Sequence, residues 1–409
     1  MGPANATTAT GADQRGEADH HVALGDEFLR VEKNAAKAFE HYRKAAELGD
    51  AYAQYRLARL YAKGQGCRQS YQFAYEWLKK SAAQEFAAAE ALMGWFYANG
   101  VVVREDLGEA FTWYSAAAEK GDAGACFELG QMFAHGRGTF KDAPSARDWY
   151  QRAAAQGHTE ANYALGMEYA HCDEGSRDYE RALRHFEEAA LRRHAGAIYE
   201  LGMIYARGRG TDRDYHRALD LLRKAAAKGS LDGQYQLAVL LSLGQGVSPN
   251  HTEALEWFTR AADAGHARAQ YELGKSYQYG RGVTADIEQA MAWYWRAAQA
   301  GNPKAQFRLG HAFETGHGQR QDFAKARAWY ELSARQGDVR AQYRIANMYL
   351  KGIGVERDVK EAYLWYYLAS CNGDEEAERR TRKLADLLPE GDRIAIDFQA
   401  EQRRVEFGL

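Results

Sequence analysis

The chain has little of what would assign it to most functional classes. It holds four cysteines in 409 residues, Cys67, Cys126, Cys172 and Cys371. None forms a C-x-x-C pair, which argues against a disulfide framework or a structural zinc site. They are expected to be small buried or half-buried thiols of a reducing compartment. No run of about 18 apolar residues occurs, so no segment is expected to cross a bilayer. Residues 1–20 carry no apolar stretch behind their charges, as a secretory signal would, and position 6 is Ala where an N-myristoylated chain needs Ser or Thr. A cytoplasmic location without membrane insertion is the expectation. The formal net charge is −3, with none of the basic excess over a whole domain that nucleic-acid binders show.

Catalytic signatures are missing too. There is no G-x-x-x-x-G-K followed by Ser or Thr, no H-E-x-x-H and no G-x-S-x-G, so the common nucleotide, zinc-protease and hydrolase patterns are excluded. Triplets such as Gly136-Arg137-Gly138 and Gly208-Arg209-Gly210 follow a helical stretch instead of a strand and recur once per unit, which is turn usage and not phosphate binding. His135 and His171 share one repeat position, with Cys172 and Asp173 beside the second. Three consecutive residues cannot readily converge on one ion, so no metal and no cofactor is expected, and the chain is read as no enzyme.

What is present is a period. The pattern AxxxxLGxxYxxGxG, then Asp-x-x-x-Ala-x-x-Trp-Tyr, then Ala-Ala-x-x-Gly returns every 36 residues from Ala51 to Asp374, nine units without insertion or deletion. Period of this size means an array of supersecondary units. Each unit has helical stretches at roughly positions 1–13 and 21–34, joined by a Gly-rich loop. Position 20 is Asp106, Asp142, Asp178, Asp214, Asp286, Asp322 and Asp358, with Ser70 and Asn250 in the other two units, and all can cap a helix N-terminus. Position 24 is always Ala and position 8 always Gly or Ala, while position 27 is Trp in seven units. Small residues let helix axes approach, and the tryptophans are expected to dominate the stack. Gly121, Gly157, Gly229, Gly265, Gly301, Gly337 and Gly373 should end the second helix in a left-handed cap.

The organisation read from this is a disordered tail over 1–19, a worn repeat over 20–50, the nine units over 51–374 and capping helices over 375–409. In the last part Ile394, Ile396, Phe398 and Val405 should face the array, with Arg379, Arg380, Arg382, Lys383, Arg403 and Arg404 in water. The unit 159–194 departs from the motif, with Cys172-Asp173-Glu174 in place of the loop glycines and His185 in place of Trp.

The repeated motif resembles the Sel1-like repeat family, a relative of the tetratricopeptide repeat. That resemblance implies an all-α, right-handed α/α superhelical solenoid of helix-turn-helix repeats with the first helices on the concave side. It also implies a non-catalytic adaptor or scaffold in a regulatory or signalling complex. A cysteine-rich secreted branch of the family is not matched, because its cysteines are absent here.

Repeated positions build the array, so recognition belongs to positions that vary. Positions 2, 6, 9 and 13 of the first helix share one stripe. In the last three units the stripe holds Arg268, Lys275, Lys304, Arg308, Arg340, Arg344 and Lys351 against one acid, Glu272. In the units from 123 to 230 it holds Glu128, Glu160 and Glu200 against Arg207. Between the two lie Met203, Val239 and Leu243. Like charges aligned on one wall repel, and an acidic partner relieves that cost. The expected site is therefore a clamp for an acidic segment or C-terminal carboxylate of a partner protein, with Met203, Val239 and Leu243 taking apolar side chains beside it. The alternatives are a small-ligand-binding or hydrolytic enzyme using the groove, on a cell-wall fragment or nucleotide, and an assembly subunit dimerising through 375–409.

Overall fold

Helices begin where the sequence supplies a side-chain acceptor. Ser70, Asp106, Asp178, Asp214, Asn250, Asp286, Asp322 and Asp358 each accept a hydrogen bond from a free amide of the first turn of a second helix. Asp142 stands at the same position without a cap bond. Pro144 removes one of the amides it would use, and its carboxylate takes the Ser145 hydroxyl at 2.5 Å instead. The last residue of a repeat caps the next first helix in the same way: Asp50, Asp122, Ser230, Asn302, Asp338 and Asp374 accept from amides three residues on. His158, His194 and His266 do so through Nδ1.

The computed structural model describes residues 11–171 and 177–408, with 22 helices and no strand among them. They divide into two compact units at Ala197 and Ile198. Within each unit the first helix of a repeat packs on its own second helix, and the second packs on the first helix of the following repeat. The fold is all-α, a solenoid of helical hairpins. The helix Gly11–Arg30 begins inside the stretch expected to lack structure. It pairs with Ala35–Glu47 because Tyr42 is fully buried and its hydroxyl donates to Asp26 at 2.6 Å. Residues 1–10 lie outside the described residues, as do Cys172, Asp173 and Glu174.

Packing inside a repeat rests on one large side chain, and it is not the tryptophan. Position 28, next to it, holds Leu78, Tyr114, Tyr150, Phe186, Leu222, Phe258, Tyr294, Tyr330 and Tyr366, all buried. Where it is aromatic and position 8 is glycine, its ring lies against that glycine. A Cβ built on Gly130, Gly274 or Gly310 would sit 2.5, 2.7 or 2.6 Å from the Tyr150, Tyr294 or Tyr330 ring. Trp293 and Trp365 are buried, but Trp77, Trp113, Trp149, Trp257 and Trp329 are half-buried. Three of these carry a cation one turn on over the ring, Lys80 at 4.0 Å from Trp77, Arg152 at 4.4 Å from Trp149 and Arg260 at 4.5 Å from Trp257. The alanines at position 24 are 0–3% exposed throughout.

Between repeats a buried amide makes the polar link. Gln54, Gln234, Gln270, Gln306 and Gln342 donate Nε2 to a carbonyl eight residues back, in the preceding second helix, at 3.0–3.3 Å. The C-terminal helices Glu375–Ala385 and Glu390–Phe407 pack on Val359–Cys371. Their orientation differs from the expected one. Ile396 and Ala400 are buried, whereas Ile394, Phe398 and Val405 are 61, 65 and 82% exposed. The inward face follows the spacing Ile396, Ala400, Arg403, Phe407: Arg403 pairs with Glu361 at 3.1 Å and Phe407 stacks on Trp365. Cys371 is exposed, not buried, while Cys67 is half-buried and Cys126 buried.

Candidate functional site

In the unit Ile198–Leu409 the stripe on the first helices has a consistent cross-section. Its end positions are exposed at Asp232, Arg268, Lys304 and Arg340 on one side and at Arg207, Leu243, Tyr279, Thr315 and Lys351 on the other. Its middle positions are half-buried at Glu200, Gln236, Glu272, Arg308 and Arg344, and at Val239, Lys275, His311 and Asn347. The wall is thus a trough with exposed lips. Met203 lies in the middle row and is 8% exposed, so it belongs to the core and offers a partner no surface. Leu243, on a lip, is 62% exposed.

The seven basic residues separate into two groups. Lys275 is held by Glu272 at 2.7 Å, and Arg344 by Glu314 at 3.5 Å, which also accepts the Tyr330 hydroxyl at 2.6 Å. Arg340 makes a two-nitrogen contact to Asp338, the cap of its own helix, at 2.6 and 3.2 Å, and lies 4.4 Å above the Phe307 ring. These three already have a carboxylate. Arg268, Lys304, Arg308 and Lys351 have no ion pair among the described residues.

Arg268 and Lys304 line one cavity of about 400 Å³ together with Tyr235, Tyr271, Glu272 and Asn302. Arg308 lies beside it. Its Nη2 donates to the Tyr279 hydroxyl at 3.4 Å, and its buried Nε has no hydrogen-bond partner. Burial works against the Arg308 charge, but hydrogen bonding to Tyr271 and the nearby phenols of Tyr279 and Tyr294 outweigh it and hold the pKa above the usual guanidinium value. His311, in the same row, is pushed below the ordinary histidine value by burial and by Arg344. The arrangement is a partly desolvated cationic pocket, which strengthens any bond to an anion.

The other sequence candidates belong to the unit Met1–Ala197. His135 Nε2 meets Gln131 Oε1 at 3.1 Å, and His171 Nδ1 meets the Met167 carbonyl at 3.2 Å. Cys172 and Asp173 lie outside the described residues, and among those residues no group of three His, Cys, Asp or Glu side chains is arranged to hold a metal. His185, in place of Trp, bonds Asn162 at 3.0 Å and stacks on Tyr169. No helix among the described residues is long and apolar enough to cross a membrane.

The repeat geometry has a counterpart in known proteins. The Sel1 repeat profile matches residues 22–50 and then every segment of 36 residues from 51–86 to 339–374. The chain belongs to the Sel1 repeat family. Among solved structures it is similar to c5321, a protective antigen of uropathogenic Escherichia coli displaying an SLR fold, at 30% identity and a TM-score of 0.81 over 97% of this chain and 86% of that one. It is also similar to a Sel1 repeat protein from Oxalobacter formigenes, at 29% identity and a TM-score of 0.58 over 86% of this chain and 97% of that one. A search of curated protein sequences gives no match. Sel1 repeat proteins are typically protein-interaction modules, and the solenoid is generally a non-enzymatic scaffold.

Proposed function

We propose that this Sel1 repeat protein is a non-catalytic cytoplasmic adaptor of a regulatory or signalling complex. It holds a protein partner in the trough of the Ile198–Leu409 unit, taking an acidic segment or C-terminal carboxylate at Arg268, Lys304 and Arg308. The observation that carries this reading is the contrast between paired and unpaired cations on one wall. Lys275, Arg340 and Arg344 have neighbouring carboxylates, whereas the three residues at the cavity have none among the described residues. A carboxylate hydrogen-bonded by a half-buried arginine contributes about 1.5–3 kcal/mol, so loss of Arg308 corresponds to a roughly 10- to 150-fold weaker complex.

The test uses a fluorescein-labelled acidic peptide with a free C-terminus, titrated into the full chain at low and high salt. Arg308→Ala and Lys304→Ala should weaken binding, by an amount that shrinks as salt rises, whereas Arg340→Ala, already satisfied by Asp338, should change it less than about threefold. Equal affinity for the wild type and Arg308→Ala, at unchanged melting temperature, would refute the clamp. A second reading, self-association through Glu390–Phe407, is favoured by the outward stripe of Ile394, Phe398 and Val405.

A further inference from the structure

We infer that the first unit carries a second docking site, independent of the carboxylate clamp, between the repeats 51–86 and 87–122. Its ligand is a peptide segment that presents an apolar side chain of Leu, Met or Phe size beside a carboxylate. A cavity of about 520 Å³ opens there on the first-helix wall. Its floor is Ala58, Leu78 and Phe96, all at most 2% exposed, and its walls include Trp95 and Tyr71 at 38 and 40% exposure.

The hole has a local cause. In the repeat 303–338 the corresponding space is filled by the Tyr330 ring, whose hydroxyl is tied to Glu314 at 2.6 Å. Here the same two positions are Leu78 and Ala62, so both the ring and its anchor are missing. What remains is an apolar recess with a half-open tryptophan at its edge, the residue type most enriched where interfaces concentrate their binding energy. Its chemistry selects the sign of the partner. The polar rim is Arg59, whose Nη1 donates to the Tyr55 hydroxyl at 3.2 Å, and the exposed Lys63. No carboxylate lines the cavity, and neither base has an ion pair among the described residues. An acid next to the buried apolar group meets both bases, while a basic segment would be repelled.

The probe is a fluorescein-labelled, amidated peptide Glu-Glu-Leu-Phe-Glu-Glu, with Lys-Lys-Leu-Phe-Lys-Lys as its counterpart, titrated into the full chain by anisotropy. The acidic peptide should saturate. Ala62→Leu, which fills the recess, and the surface change Lys63→Glu should each weaken it about tenfold or more. Lys228→Glu, an exposed charge in the other unit, should leave it unchanged, and the lysine peptide should not bind. Melting curves of Ala62→Leu and Lys63→Glu show that each remains folded, and Lys63→Glu reads the site even if Ala62→Leu does not fold. With Lys304→Ala and Arg308→Ala also present to remove the contribution of the trough, acidic-peptide binding that survives both Ala62→Leu and Lys63→Glu would overturn this site. No saturable binding below about 1 mM, or equal binding of the lysine peptide, would overturn it as well.

Discussion

Four non-glycine residues among those described hold a backbone conformation suited to glycine, and two of them, Glu85 and Arg193, share one repeat position and allow a test whose sign is fixed by the repeat itself. Position 35 closes the second helix. Gly121, Gly157, Gly229, Gly265, Gly301, Gly337 and Gly373 adopt φ between 77 and 90° there, whereas Glu85 and Arg193 take φ of 60 and 64° without being glycine. A left-handed conformation costs a residue with a Cβ about 1–2 kcal/mol. Replacement by glycine recovers that strain but gives the unfolded chain extra freedom worth about 0.5–1 kcal/mol. Both side chains are exposed, so little packing is lost. Glu85→Gly and Arg193→Gly should therefore each stabilise by about 0.5–1 kcal/mol, raising the melting temperature by about 1–4 °C. The matched opposite is Gly121→Ala. A Cβ there would meet nothing within 4 Å, so the same two terms apply with opposite sign, and a fall of about 0.5–1 kcal/mol is expected. Circular dichroism melts and urea titrations with unchanged m-values read all three. Destabilisation by Glu85→Gly and Arg193→Gly, or tolerance of Gly121→Ala, would refute the argument.

Further outcomes follow from single bonds. Tyr330→Phe should cost about 1 kcal/mol in urea unfolding, since it removes the hydroxyl that donates to Glu314 at 2.6 Å, while Tyr366→Phe, whose buried hydroxyl has no partner, should be neutral or stabilising. His158 caps its helix through Nδ1 and burial holds its pKa below the ordinary 6.5. Below that pH the unfolded chain binds the proton more readily than the folded one, so stability is complete above it and falls as pH descends through the histidine range. His158→Asn keeps an acceptor that does not titrate, and its acid-side stability loss should be smaller than that of the wild type in melts at pH 5 to 8.

Much of this architecture was legible in the sequence because repetition multiplies weak signals. An Asp before a helix is a modest hint once, but at one position in seven units, with Ser70 and Asn250 in the others, it marks the second helix through most of the array. Orientation within a face was less legible. Tryptophan and its neighbour at position 28 are both large, and pattern alone does not say which ring lies on the position 8 glycine. The same limit applies to Met203, whose stripe position is shared with lysine and asparagine elsewhere yet is inside the core. In Glu390–Phe407 the apolar residues Ile394, Phe398 and Val405 invited a burial that Arg403 took instead, its guanidinium lying 5.6 Å over the Trp365 ring while it pairs with Glu361. Of the proposed trough, the charge segregation could be read directly. The pairing of Arg340 and Arg344 could not, because their partners Asp338 and Glu314 lie off the stripe, unlike Glu272, which holds Lys275 from within it.

The glutamine links between repeats are unevenly shared, because the position that holds Gln234, Gln270, Gln306 and Gln342 in the Ile198–Leu409 unit reads Gln54, Glu90, Cys126 and Asn162 in the first. In the repeat 123–158 the Cys126 Sγ lies 3.9 Å from the Ala118 carbonyl, a feeble bond beside an amide. Drawn out by its ends, for instance by a translocating protease, the Ile198–Leu409 unit would therefore resist at four consecutive seams, whereas the first unit has one such tie among its described residues, at Gln54.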